Sequence, residues 1–155
     1  MADRTESGTQ ADRSDIASNT MTPFGNPFST GSSDDLVKIV VSLMDDTDGA
    51  GLSWKIRATA MLTGVLRALT WMRDAGMITL DAVVLRDHLR LERIIEISDP
   101  ELYPSMPEPV RRSVRSYLTS LPGYDEEKGH EQGQVTRDQH GFLEMHFSGP
   151  LGALA

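Results

Sequence analysis

Four groups of side chains in this sequence are of the types that do chemistry, and their spacing decides what each could do. Asp45, Asp46, Asp48 and Gly49 lie in an acidic, glycine-rich stretch, DDTDGAG, of the kind that surrounds calcium. With Asp46 as the first loop position, Asp48 and Gly51 fall at the third and sixth. The fifth position is then Ala50 and the twelfth Arg57, where a calcium loop needs a bidentate glutamate. The stretch reads as a solvated turn. His140 and Glu144 are one helical turn apart, with His146 close by. A zinc hydrolase places two histidines at i and i+4 with a glutamate between them, whereas residues 140 and 146 face different sides of a helix. Ser29, Thr30, Ser32 and Ser33 surround Gly31 at a helix start, a setting that can hold phosphate. Asp34 and Asp35 in the first turn would repel that anion, so capping is the better role. No Ser/His/Asp order, nucleotide loop or pair of catalytic acids is present in a defensible pattern. No catalytic, cofactor-binding or metal residue is assigned, and the segment reads as non-enzymatic.

The fourth group is cationic. Arg86, Arg90 and Arg93 follow one another at three- to four-residue steps, with a break near Leu89. Arg111, Arg112 and Arg115 flank the apolar stripe of a later helix, with Arg111 and Arg115 on one face. Guanidinium groups so placed could contact phosphates or an acidic partner. Residues 86–115 nevertheless hold six arginines against six acids (Asp87, Glu92, Glu96, Asp99, Glu101 and Glu108), so the window is neutral. Solvated, locally paired surface is the plainer interpretation.

The elements that must carry these groups are helices. At 155 residues the chain is long enough for one domain with a core and too short for two of ordinary size. A net charge of −8 restricts nucleic-acid contact to a local basic patch. The absence of cysteine excludes disulfides and thiolate chemistry. The most apolar helix carries Arg57, Arg67 and Arg73 and does not read as membrane-spanning.

Residues 1–20 have no large apolar side chains apart from Met1 and Ile16, and read as a disordered tail or an appended segment. Met21–Thr30 reads as a turn-rich arm that can dock Phe24 and Phe28. A helix starts at Ser32 or Ser33, with Ser32 and Asp35 in a variant capping box. Leu36, Ile39, Val40, Leu43 and Met44 form its apolar face. After the Asp45–Gly51 turn, Ser53 caps a central helix with Trp54, Met61, Leu62, Val65, Leu69 and Met72 at three- and four-residue steps. Gly76 ends it. Thr79 caps a third helix, LDAVVLRDHL, and Leu91–Ile97 forms a separate short one. The four prolines of DPELYPSMPEP impose an irregular connector, and Pro109 opens a further helix with Val110, Val114, Tyr117, Leu118 and Leu121 on one face. Thr136 caps a last helix, RDQHGFLEMHF, before the chain stops at SGPLGALA. The expected fold is all-α: a bundle of about five to seven helices around a long central one.

Four phrases in this order, NPFSTGSSDDLVKIVVSLM, WKIRATAMLTGVLRALTWMRD, SYLTSLPGY and QHGFLEMHF, resemble the all-α domain of type IV coupling proteins. The likeness is to the branch containing DotL/IcmO and TrbC, and covers roughly residues 19–155. It implies that residues 21–155 are an insert in the RecA-like domain of a membrane-anchored hexameric ATPase. ATP and Mg would then belong to the parent, whose phosphate-binding loop and Walker B strand would flank this segment. It further implies a domain at the cytoplasmic face of the bacterial inner membrane, without membrane contact of its own. There it would recognise secretion substrates, relaxosome proteins or DNA. The other interpretation is a stand-alone helical DNA-binding or regulatory protein using Arg111, Arg112 and Arg115.

Overall fold

The computed structural model describes residues 26–44 and 52–154, and among these it is all-helical, with no strand. The order is α1 (Pro27–Thr30), α2 (Ser33–Val41), α3 (Leu52–Asp74), α4 (Ala82–His88), α5 (Leu91–Ile97), α6 (Glu108–Ser120), a 3-10 turn at Glu126–Lys128, and α7 (Gln134–Leu154). The expected bundle around a long central helix is thus the observed architecture. Residues 1–20, the Phe24 part of the arm and the Asp45–Gly51 turn with its calcium-like spacing lie outside the described residues.

The 23 residues of α3 span about 34 Å at 1.5 Å per residue. The helix is apolar on more than one side: Ala58, Met61, Leu62, Val65, Leu66, Ala68, Leu69 and Met72 are all buried. Helices α2 and α6 therefore pack along it, with α4 and α7 touching it as well. Gly64 permits a close approach of α6, since a Cβ there would stand 3.0 Å from the Ser113 carbonyl oxygen. Arg67 closes the same contact by donating to Ser113 Oγ at 2.7 Å. Gly76, at φ +77°, ends α3 in a Schellman motif, with Met77 N–H donating to Met72 O and Gly76 N–H to Arg73 O.

Among the described residues of the arm, Phe28 docks on the core. Phe28 is buried, and α1 is a single helical turn capped by Asn26. Arg73 fixes it to the end of α3 by donating to the carbonyls of Phe28 and Gly31, at 3.0 and 2.8 Å.

Helix starts agree with the sequence in some places and shift in others. Ser32 caps α2 as expected, its Oγ accepting from Asp35 N–H at 3.1 Å. Ser53 is not a cap, because α3 already includes Leu52. The cap of α4 is Asp81 rather than Thr79: its carboxylate accepts from Val84 N–H at 2.8 Å, so α4 is shorter at its start than LDAVVLRDHL suggests. Thr136 lies inside α7, buried, and donates to the Pro122 carbonyl at 2.8 Å. The largest difference is at the end. Helix α7 does not stop at Phe147 but runs through Gly149, Pro150 and Gly152 to Leu154, with Leu151 fully buried.

Leu69 has no exposed surface and lies in the C-terminal third of α3, within the core. Leu69→Ala should lower stability by about 2–5 kcal/mol, read from urea unfolding, because the bundle cannot collapse around a cavity at its centre. A loss under about 0.5 kcal/mol, the level of ordinary surface substitutions, would contradict this packing.

Candidate functional site

The six arginines singled out in the sequence do not form one surface. Arg111 is the clearest departure, because its residue is only 5% exposed. Its guanidinium donates to the Tyr103 carbonyl at 2.6 Å, with longer contacts to the carbonyls of Ser98 and Met106 at 3.4 and 3.5 Å. These oxygens belong to the proline-broken connector, which has no helical ladder to use them. Arg111 is therefore an internal clamp and not a contact for a partner. Arg115, half exposed, is ion-paired with Glu126 at 2.8 Å. Arg112 is exposed and makes no ion pair or hydrogen bond among the described residues. A signal for Arg111 was present in the spacing: it lies three residues before Val114 and seven before Leu118, on the stripe itself.

Arg90 and Arg93 do meet, at the elbow where Leu89 ends α4 and Arg90 caps α5, while Arg86 of α4 turns to α7. Arg90 and Arg93 both hold Asp87, each at 2.9 Å, and Arg93 also approaches Glu96 at 3.7 Å. Burial pushes the Asp87 carboxyl up, but the Arg93 charge and the Arg90 hydrogen bond outweigh it and keep the group below its ordinary range. Two of the three cations are thus occupied. Arg86 has no ion pair or hydrogen bond among the described residues. Its guanidinium rests against α7 at Gly152, where a Cβ would stand 2.7 Å from Nη1.

Between α4 and α7 these residues border an open groove of about 580 Å³. Val83, Val84 and Arg86 line it from α4, and Glu144 and Ser148 from α7, with Asp87, His88 and Arg90 around the elbow. Val83 is 47% exposed, which leaves apolar surface accessible. His88 is held in place by Nδ1, which donates to the Val84 carbonyl at 2.8 Å. Ser148 Oγ donates to the Glu144 carbonyl at 3.3 Å. The α7 side was legible as positions 140, 144, 148 and 152, one helical turn apart, had the helix been extended through Pro150.

The histidines of the candidate metal pair are committed elsewhere. His140 is 2% exposed and joins three elements. Its Nε2 is 2.7 Å from the Leu89 carbonyl and its Nδ1 is 2.7 Å from the Tyr117 hydroxyl. A carbonyl can only accept, so the proton is assigned to Nε2, and Nδ1 accepts from Tyr117. Glu144 lies 3.6 Å from the same Nε2. His146 stacks on Trp54 with ring centroids 3.8 Å apart, and its Nδ1 is 2.8 Å from the Phe142 carbonyl. Among the described residues no three metal-ligating side chains cluster.

No protein-family model matches the chain. It is 37% identical over 142 residues to the type 4 coupling protein DotL of Legionella pneumophila (subsp. pneumophila, strain Philadelphia 1), an alignment that takes in 84% of this chain. The chain spans 18% of that relative's length.

The buried His140 carries a pH dependence. Burial pushes its imidazolium pKa below the ordinary 6.5, against the Leu89 hydrogen bond and the Glu92 charge, which favour the cation. A lowered folded value means that the unfolded chain takes the proton first. This contribution to stability is complete above about 6.5 and is lost as pH falls towards the folded value. Glu144 acts in the opposite sense, since burial and then the Glu92 charge raise its carboxyl above 4.5. Its contribution is present below 4.5 and lost as pH rises through the folded value. The melting temperature should therefore fall more between about pH 7 and 5.5 in the unaltered chain than in His140→Gln. Equal slopes would show that His140 is not held neutral.

Proposed function

We propose, from the premise that this chain carries a DotL-like domain of a type 4 coupling protein, that it is a non-catalytic docking domain through which the parent receives its secretion substrates. The observation that carries this is the 37% identity across nearly the whole helical domain. The chemistry of the described residues agrees: the side chains that could have reacted are engaged in structural contacts. His140 supports Leu89 and Tyr117, Ser32 caps α2, and Arg111 holds the connector. No helix of the described residues is long and apolar enough to cross a membrane. That suits a domain without membrane contact of its own, carried by an anchored parent at the cytoplasmic face of the inner membrane.

In this reading the domain is an insert in a hexameric RecA-like ATPase, and ATP and Mg act in the parent. Its partners are secretion substrates or relaxosome proteins. Direct duplex binding through Arg111, Arg112 and Arg115 has little support, because Arg111 is buried and Arg115 ion-paired, which leaves, of the three, Arg112 alone exposed and without an ion pair among the described residues.

Deleting the domain from the full-length parent should leave ATP hydrolysis within about twofold of normal and reduce substrate delivery by about tenfold or more, as the loss of a docking module does. The purified chain should retain a substrate of its own system on a column while hydrolysing no ATP. Undiminished delivery after deletion, or a parent gene without nucleotide-binding motifs on either side, would overturn the proposal.

A further inference from the structure

The geometry points to the groove between α4 and α7 as the docking site for a short acidic and apolar segment of a partner polypeptide. In it an aliphatic side chain lies against Val83 and Val84, and a carboxylate sits on Arg86. This rests on the docking role proposed above only for the biological source of the segment.

Charge selects the occupant. Asp87 and Glu96 between them offset Arg90 and Arg93 at the elbow, whereas Arg86 has no ion pair among the described residues. Arg86 also lies against α7 at Gly152, where a Cβ would require its guanidinium to shift. An exposed guanidinium without a counter-charge is a receptor for carboxylate, which it can bind through two parallel hydrogen bonds. The half-buried carboxylate of Glu144 marks the other end of the groove. Eight residues of α7 separate Glu144 from Gly152, about 12 Å along the axis, a length that about four extended residues span. The groove therefore has a cationic end, an apolar wall and an anionic end, which sets the direction of an entering segment. A basic peptide would meet Arg86. A nucleic-acid backbone would meet Glu144 and the general negative charge of the chain, −8 overall. The volume of about 580 Å³ suits a few side chains and not a folded element.

Fluorescence anisotropy with the purified chain tests this, using a labelled, acetylated hexapeptide of alternating leucine and glutamate and its leucine–lysine counterpart. The glutamate peptide should bind and the lysine peptide should not. Arg86→Gln should weaken binding roughly tenfold, the loss of one charge-assisted contact. Gly152→Ala is the sharper variant: alanine is the better helix former, so the melting temperature should hold or rise, while the displaced guanidinium should cost binding. Arg112→Gln, on α6, should bind as the unaltered chain does. Equal affinity for both peptides, full binding by Arg86→Gln, capture of a DNA duplex in preference to the glutamate peptide, or binding of neither peptide would each overturn the inference. A chain that fails this test yet retains a secretion substrate would leave the docking role standing and move the site elsewhere.

Discussion

The contact between α3 and α6 at Gly64 is the constraint on which the other elements depend. The backbones come so close there that a Cβ would meet the Ser113 carbonyl, which fixes how far α6 stands from the axis of the bundle. From that distance follow the depth at which Val114, Tyr117 and Leu118 enter the core and the height at which the Tyr117 hydroxyl meets His140. Leu62, Leu66 and Leu69 then have no solvent-facing side left, which explains why α3 shows so little amphipathic contrast for a helix of its length. Helix α3 is a spine packed from several directions, and its neighbours read their positions from it.

The polar interior solves a single recurring problem, that of backbone groups in segments between helices. Arg111 takes up carbonyls of the proline connector. Gln132, only 3% exposed, closes the loop before α7: its amide donates to the carbonyls of Asp125 and Gly129, and its Oε1 accepts from Asp125 N–H. His140 takes the Leu89 carbonyl at the end of α4. Each side chain has the number of donors its site needs, so little desolvation is left uncompensated. At the surface, Arg86 and Val83 have no such duty.

The sequence made the helices legible wherever a cap and a stripe agreed, as at Ser32 with Leu36 and Val40, or at Pro109 with Val114 and Leu118. It misled where a residue type has two roles. Threonine and serine cap helices but also bond to carbonyls inside them: Thr59, Thr63 and Thr70 each donate to the residue four before. Thr79 and Ser53 have the residue types of caps, yet Asp81 caps α4 and α3 already includes Leu52. Arginine is usually solvated, so its residue type groups Arg111 with Arg115, while its position on the stripe marks it as internal. The groove stayed hidden for a different reason. Its α7 wall requires a helix through Gly149 and Pro150, which local propensity opposes and only packing against the body of the protein decides.

That last stretch of α7 has a thermodynamic consequence. Gly149, Pro150 and Gly152 together disfavour helix by about 5 kcal/mol relative to alanine. The ring of Pro150 also leaves the His146 carbonyl without its ladder partner. Burial of Leu151 offsets about 1.5–3 kcal/mol of this, and the rest falls to the contact with α4. The final two turns are therefore helical only while docked. They form a small cooperative unit with its own opening equilibrium, weaker than that of the spine, whose amide protons would be the first of α7 to exchange with solvent. Whatever settles across α4 and α7 tightens that equilibrium, and so writes its presence into the order of the chain beyond Phe147.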